Sequence, residues 1–213
     1  MGVAERRWRE KEQRRNTIMD AAERVFFAKG ADNATMDEVA ETAELSKGLL
    51  YHYFKNKHDL CHAIVHRGLQ VLQQFFDRAI RTHERGIEQV RAIGESYIQF
   101  SREYPYYYNL MAWFEAERSE SSDPESFEMA CEKEGGQAIQ LVAQAVQNGI
   151  DDGSIHPDLD PMVTAVNLWG QTHGLIQVAS YKDAHQRYKV DADTLLQTGL
   201  DLIDRGLKPP SKS

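Results

Sequence analysis

Apolar residues in this chain recur every three or four positions in segment after segment, and no segment alternates apolar with polar as a half-buried strand would. Ile18, Ala21, Ala22, Val25 and Phe26 stand at i, i+3, i+4, i+7 and i+8, a stripe along one face of a first helix. Gly30 is placed to end it. Thr35-Met36-Asp37-Glu38 is a T-x-x-E capping box that starts a second helix, with Met36, Val39, Ala40 and Ala43 on its buried face. Glu44-Leu45 leaves room only for a tight turn before Ser46, the N-cap of a third short helix bearing Leu49, Leu50 and Tyr53. Lys55-Asn56-Lys57 closes that helix and leads into a longer one through Leu60, Ile64, Val65, Leu69, Leu72, Phe76 and Ile80.

The helical period continues beyond Gly86 through Ile87, Val90, Ile93, Tyr97 and Phe100, then breaks at Tyr104-Pro105 before the aromatic residues 106–116. Ser121-Ser122-Asp123-Pro124 reads as a loop whose proline opens the next helix. That helix ends near Asp152-Gly153, with Gly135-Gly136 as a point of interruption. Asp160-Pro161 starts another that runs to about Ser180, and residues 191–205 form the last. The tail Pro209-Pro210-Ser211-Lys212-Ser213 reads as disordered. The expected fold class is all-α.

A hydrophobic content of 41% with 27% charged residues is that of a globular protein. No apolar run is long enough to span a membrane, and the charged first fifteen residues do not resemble a secretory signal. Cys61 and Cys131 lie far apart and read as reduced thiols, so the expected location is cytoplasmic. A Gly-rich phosphate loop, a nucleophile motif and a dense His/carboxylate cluster are all missing, so neither catalysis nor a cofactor is expected. His58, His62 and His66 fall at i, i+4 and i+8 beside Cys61, a spacing that can serve zinc. With no acidic partner or second cysteine nearby, the row reads as exposed imidazoles, and no metal is assigned.

The net charge of −8 is unevenly placed. Residues 1–59 carry eleven Lys or Arg and eleven Asp or Glu, while the rest carry fourteen and twenty-two. Within residues 45–58, Lys47, Lys55 and Lys57 occur with no carboxylate. Two short helices joined by a tight turn, the second basic and aromatic, form a helix-turn-helix. Ser46-Lys47-Gly48 gives that second helix free N–H groups at its start, little bulk and one long cation. Tyr51, His52 and Tyr53 offer O–H or ring N–H groups to phosphate oxygens, and Lys57 lies just beyond.

The stretch TMDEVAETAELSKGLLYHYFKNK, residues 35–57, resembles the DNA-binding signature of TetR-type repressors, and the match extends upstream through residues 18–26 and Gly30. Glu44 departs from the family's usual glycine and implies left-handed strain in the turn, and Leu49 replaces a common small or hydroxyl residue. The resemblance implies DNA contact by Thr35, Ser46, Lys47, Gly48, Tyr51, His52, Tyr53 and Lys57. It also implies an N-terminal three-helix DNA-binding domain, residues 11–71, and a helical ligand-binding and dimerisation bundle, residues 72–207. Gly170 and Gly174, one turn apart, would admit a second helix, so a homodimer through residues 163–178 and 195–203 is expected. The aromatic stretch 104–114 points to a cavity for a small apolar or aromatic effector, with Tyr97, Tyr107, Tyr108, Met111, Phe114, Trp169, His173 and Gln177 as wall and anchor residues. The resulting expectation is a repressor of double-stranded, palindromic operator DNA with no membrane association. A helical enzyme or carrier with an incidental basic segment is the rival, and a DNA-binding protein answering to a protein partner is the third reading.

Overall fold

Capping side chains set several of the helix starts. The computed structural model describes residues 2–116, 126–181 and 188–209, and among these it contains nine α-helices and no strand. They are α1 (Val3–Lys29), α2 (Met36–Thr42), α3 (Lys47–Tyr53), α4 (Lys57–Arg81), α5 (Gly86–Glu103), α6 (Pro105–Ala116), α7 (Phe127–Asp151), α8 (Pro161–Ala179) and α9 (Ala192–Leu207). The all-α expectation holds. Gly30, with φ of 79°, ends α1, and Asp160, followed by Pro161 in the first turn, starts α8. Asp191 caps α9, accepting from the Thr194 amide at 2.9 Å. The expected loop at 121–124 and the tail after Pro209 lie outside the described residues.

One expectation needs correction. Gly135-Gly136 does not interrupt α7, which runs unbroken for 25 residues. A glycine inside a helix costs up to about 1 kcal/mol relative to alanine, and the buried stripe of Ala138, Val142, Ala145 and Val146 beyond the pair offsets that loss. On α3 only Leu50 is fully buried, whereas Leu49 is exposed and Tyr53 half-buried. A seven-residue helix has a narrow inner face, and Leu50 and the following Phe54 fill it.

The chain forms two compact units. The first comprises residues Met1–Gly68 and Tyr106–Glu132, and the second comprises Leu69–Pro105 and Lys133–Ser213. The described residues 106–116 and 126–132 therefore belong with the N-terminal helices. In the first unit Ile18, Ala22, Phe26, Val39, Leu50, Phe54, Leu60 and Ile64 form the core. Arg67 on α4 ties down α1, donating to Asp20 at 2.7 Å, Glu23 at 2.8 Å and Asn16 at 3.0 Å. Tyr107 donates to the same Glu23 at 2.9 Å, which holds α6 to α1.

In the second unit, Ile87, Val90, Ile93, Phe100, Val146, Ile155 and Leu200 are buried. Here α5 begins against α7 so closely that a Cβ on Gly86 would lie 1.9 Å from the Gly149 amide nitrogen. The first amides of α5 are satisfied from a distance: Gly86 donates to Asp152 at 2.7 Å and Ile87 to Ser154 at 3.1 Å.

Candidate nucleic-acid interface

The capping box at Thr35 closes from both sides, as its spacing predicts. The Thr35 amide donates to Glu38 Oε2 at 3.0 Å, and the Glu38 amide donates to Thr35 Oγ1 at 3.3 Å. Lys29 at the end of α1 pairs with the same carboxylate, and with the Thr35 bonds it holds Glu38 below its ordinary pKa. A lone residue in the left-handed region forms the turn: Glu44 has φ of 56°, the strain implied by its replacing glycine.

Ser46 starts α3, its Oγ accepting from the Leu49 amide at 3.3 Å. Leu50 and Phe54 point inward, so Lys47, Gly48, Leu49, Tyr51 and His52 face solvent. The His52 and Tyr53 rings meet edge to face with centroids 5.5 Å apart. The space beside Gly48 is open: a Cβ there would meet nothing within 4 Å. Lys47 reaches back to Asp37 on α2 at 2.5 Å, a solvent-exposed pair that bridges the two helices. The pairing of Asp37 with Lys47 is absent from the sequence-based expectations, because no helical spacing links positions ten apart on separate helices.

Thr35, Ser46, Lys47, Gly48, Tyr51 and His52 thus lie on the surface of one unit, with Tyr53 at its edge. Lys57 does not join them as a free cation. Its ammonium donates to the carbonyls of Ala31 at 2.8 Å, Asp32 at 3.0 Å and Ala34 at 3.3 Å. Its three protons are directed at the loop between α1 and α2.

Of the expected histidine row His58 is exposed, whereas His62 and His66 are half-buried. His58 and His62 pack on Trp113, with ring centroids 5.4 and 6.3 Å apart, and His62 also meets Phe114 at 5.1 Å. His66 lies 6.3 Å from Phe127. Burial pushes the Cys61 thiol up to about 12 and so keeps it protonated.

Two family descriptions match the chain. "Bacterial regulatory proteins, tetR family" covers residues 18–64, and "Tetracyclin repressor-like, C-terminal domain" covers residues 90–203. The chain belongs to the TetR family. It is a DNA-binding transcriptional regulator with a helix-turn-helix, not an enzyme. The "HTH-type transcriptional activator FasR" of Mycolicibacterium smegmatis is 33% identical over 90 residues, which is 42% of this chain and 41% of FasR. The chain thus aligns with less than half of that relative's length. The "Uncharacterized HTH-type transcriptional regulator YfiR" of Bacillus subtilis is 27% identical over 187 residues, 81% of this chain and 83% of YfiR. Among solved structures, a TetR/AcrR-family regulator from Thermobifida fusca superposes with a TM-score of 0.70 at 20% identity, covering 92% of this chain and 100% of that one. A structure of AibR in complex with isovaleryl coenzyme A and operator DNA gives 0.66 at 17% identity, covering 89% and 97%. No described helix of this TetR-family chain is long and apolar enough to cross a membrane.

The eight expected effector-site residues divide between the units: Tyr107, Tyr108, Met111 and Phe114 in the first, Tyr97, Trp169, His173 and Gln177 in the second. Tyr107 and Met111 cover Gly68, where a Cβ would lie 3.0 Å from Tyr107 and 2.9 Å from Met111. In the second unit Phe76, Tyr97, Leu168, Trp169 and Thr172 border an apolar cavity of about 40 Å³. Beside it Tyr97 Oη and His173 Nδ1 are 2.9 Å apart, and Gln177 Nε2 lies 2.9 Å from His173 Nε2. With that amide donating to Nε2, the neutral ring carries its proton on Nδ1 and donates to Tyr97. Burial lowers the His173 pKa and favours this neutral form.

Proposed function

We propose that this TetR-family regulator represses transcription as a homodimer on a palindromic operator and is released by a small apolar or aromatic effector. In this reading residues 11–71 carry DNA recognition and residues 72–207 carry dimerisation and sensing. The observation that carries it is the outward set on α3 and its flanks, Thr35, Ser46, Lys47, Gly48, Tyr51 and His52, exposed above an inward Leu50 and Phe54. Hydroxyls, a helix start and one lysine are the groups that position a protein on phosphates, and Lys47 is the one long enough to reach a guanine edge.

Dimerisation is supported by the outer face of α8 and α9. Met162, Val163, Val166 and Leu202 are exposed apolar side chains, and Val163, Val166 and Gly170 share one face at i, i+3 and i+7. A Cβ on Gly170, Gly174 or Gly206 would meet nothing within 4 Å in the single chain. An isologous four-helix contact would cover this face, and a two-fold dimer suits a palindrome whose half-sites lie about 34–36 Å apart.

A cavity of about 40 Å³ holds little more than a water, whereas ligand sites occupy roughly 300–1,000 Å³. In this reading the effector must part the aromatic walls of the second unit, and that work couples binding to release. The test is a promoter–reporter strain with mobility shifts on DNA flanking the protein's own gene. Repression predicts more reporter on deletion of the regulator and loss of the shifted band with an effector found by thermal-shift screening. Less reporter on deletion would instead favour activation, the role in the FasR name.

A further inference from the structure

Most cations of the helix-turn-helix itself are already committed. Lys29 pairs with Glu38, Lys47 with Asp37, and Lys57 is held by three carbonyls. Residues 16–59 carry five Lys or Arg against eight Asp or Glu, the wrong balance for a polyanion. Residues 3–15 carry six against three.

That basic segment is a helical extension, since α1 begins at Val3 whereas the family match begins at residue 18. Its cations fall into two sets. Arg6 pairs with Glu10, Arg9 with Glu5 and Arg15 with Glu12, each within a helical turn. Arg7, Lys11 and Arg14 are exposed, take part in none of the described ion pairs, and lie at i, i+4 and i+7 on one stripe. Further along, the same stripe holds the buried Ile18, Ala21 and Val25. The face that is core in the second half of α1 is therefore cationic and uncovered in the first.

The extension departs close to the recognition helix. The Arg15 guanidinium carbon lies 5.9 Å from the ring of Phe54, the residue that ends α3. We propose that residues 3–14 form an electrostatic arm whose Arg7, Lys11 and Arg14 grip the phosphate backbone flanking the site read by α3. The three charges span about 10 Å of helix, and a duplex presents one negative charge per roughly 1.7 Å of its axis. Among the described side chains of the segment Trp8 is the only large apolar one exposed, and a single tryptophan does not make the apolar face that lies in a lipid interface. The arm supplies sequence-independent affinity, and α3 supplies choice.

The proposal rests on the DNA-binding reading, and the test separates the two. The full-length protein and its R7Q/K11Q/R14Q variant are titrated by fluorescence anisotropy against a labelled random-sequence duplex over a salt series. The variant is expected to melt like wild type and to lose about 0.9 of log–log salt slope per cation, or roughly two to three per protomer. The charge-preserving R7K/K11R/R14K variant is expected to keep the wild-type slope. If the triple glutamine variant melts early, R7Q and R14Q singly carry the same measurement, each losing about 0.9. Equal slopes for wild type and the glutamine variants overturn the arm while leaving DNA binding intact. Charge-dependent binding to phosphatidylserine vesicles with equal DNA slopes assigns the stripe to lipid and likewise overturns it. A wild type that binds no duplex at low salt removes the DNA-binding reading and the arm together.

Discussion

The Lys57 ammonium donates to the Ala31 carbonyl at 2.8 Å, which fastens the first turn of α4 to the loop after α1. With Asp32 and Ala34 sharing the same nitrogen, the lysine orders the approach to the Thr35 cap, whatever it also does near DNA. Lys57→Ala should lower unfolding stability by about 1.5–3 kcal/mol, the range for hydrogen bonds to a charged group. Urea denaturation beside a salt titration on DNA checks this. Unchanged stability with a slope lower by about one would return Lys57 to the phosphate-contacting set.

Asp37 holds the Lys47 ammonium in the free protein. Asp37→Asn should tighten binding to every duplex, by freeing that cation and removing an anion beside the phosphates. Lys47→Ala should cost about 1–3 kcal/mol on the operator and less on random DNA if it reads a base. Anisotropy on both duplexes decides, and weaker binding by the asparagine variant would contradict this account.

Glu44 sits at φ of 56°, where a side chain costs roughly 1–2 kcal/mol that glycine avoids. Against the greater chain entropy of glycine, Glu44→Gly should still gain about 0.5–1 kcal/mol. Glu44→Val should lose more than 1 kcal/mol, because a β-branched residue tolerates this conformation worst. Melting temperatures of the two variants should move in opposite directions.

Two glycines should behave as opposites. Gly86→Ala drives a Cβ into the α7 backbone at 1.9 Å and should cost 3 kcal/mol or more, at the upper end of about 1–3 for overpacking. At Gly170 an added Cβ meets nothing within 4 Å in its own chain, so Gly170→Leu should leave the protomer folded while weakening self-association. Circular dichroism with sedimentation velocity separates these outcomes. A Gly170→Leu protein that remains dimeric at low concentration would move the interface elsewhere.

His62 and His173 are both held below the ordinary histidine value of 6.5 by burial. In the window between the native and unfolded pKa values the unfolded state binds more protons, so stability rises with pH. Their contribution is complete above 6.5 and is lost as the pH falls below it towards their native values. Substitution of both by glutamine should flatten melting temperature against pH across that window. An unchanged acid slope would place the sensitivity in other groups.

Local signals carried most of the fold. Thr35, Ser46, Asp160 and Asp191 cap helices because each needs only an amide three residues on, and that spacing is visible in a string. The outward residues of α3 were equally legible, since Leu50 alone must face the core. What failed was non-local. The density of aromatics in residues 106–114 gives no sign that Tyr107 meets Glu23, 84 positions earlier. Nor does the i, i+4, i+8 row of histidines announce rings from α6 and α7 against it. The pairing of Lys47 with Asp37 and the capture of Lys57 are likewise set by how separate helices meet.

The three tryptophans fall one to each part of the molecule that matters. Trp8 is 64% exposed on the basic extension, Trp113 packs on His58 and His62 in the DNA-binding unit, and Trp169 borders the cavity of the second unit. The chain therefore carries a separate optical gauge in each. Pairwise replacement of the others by phenylalanine would leave one emitter reporting arm, imidazole protonation or cavity opening without any attached dye.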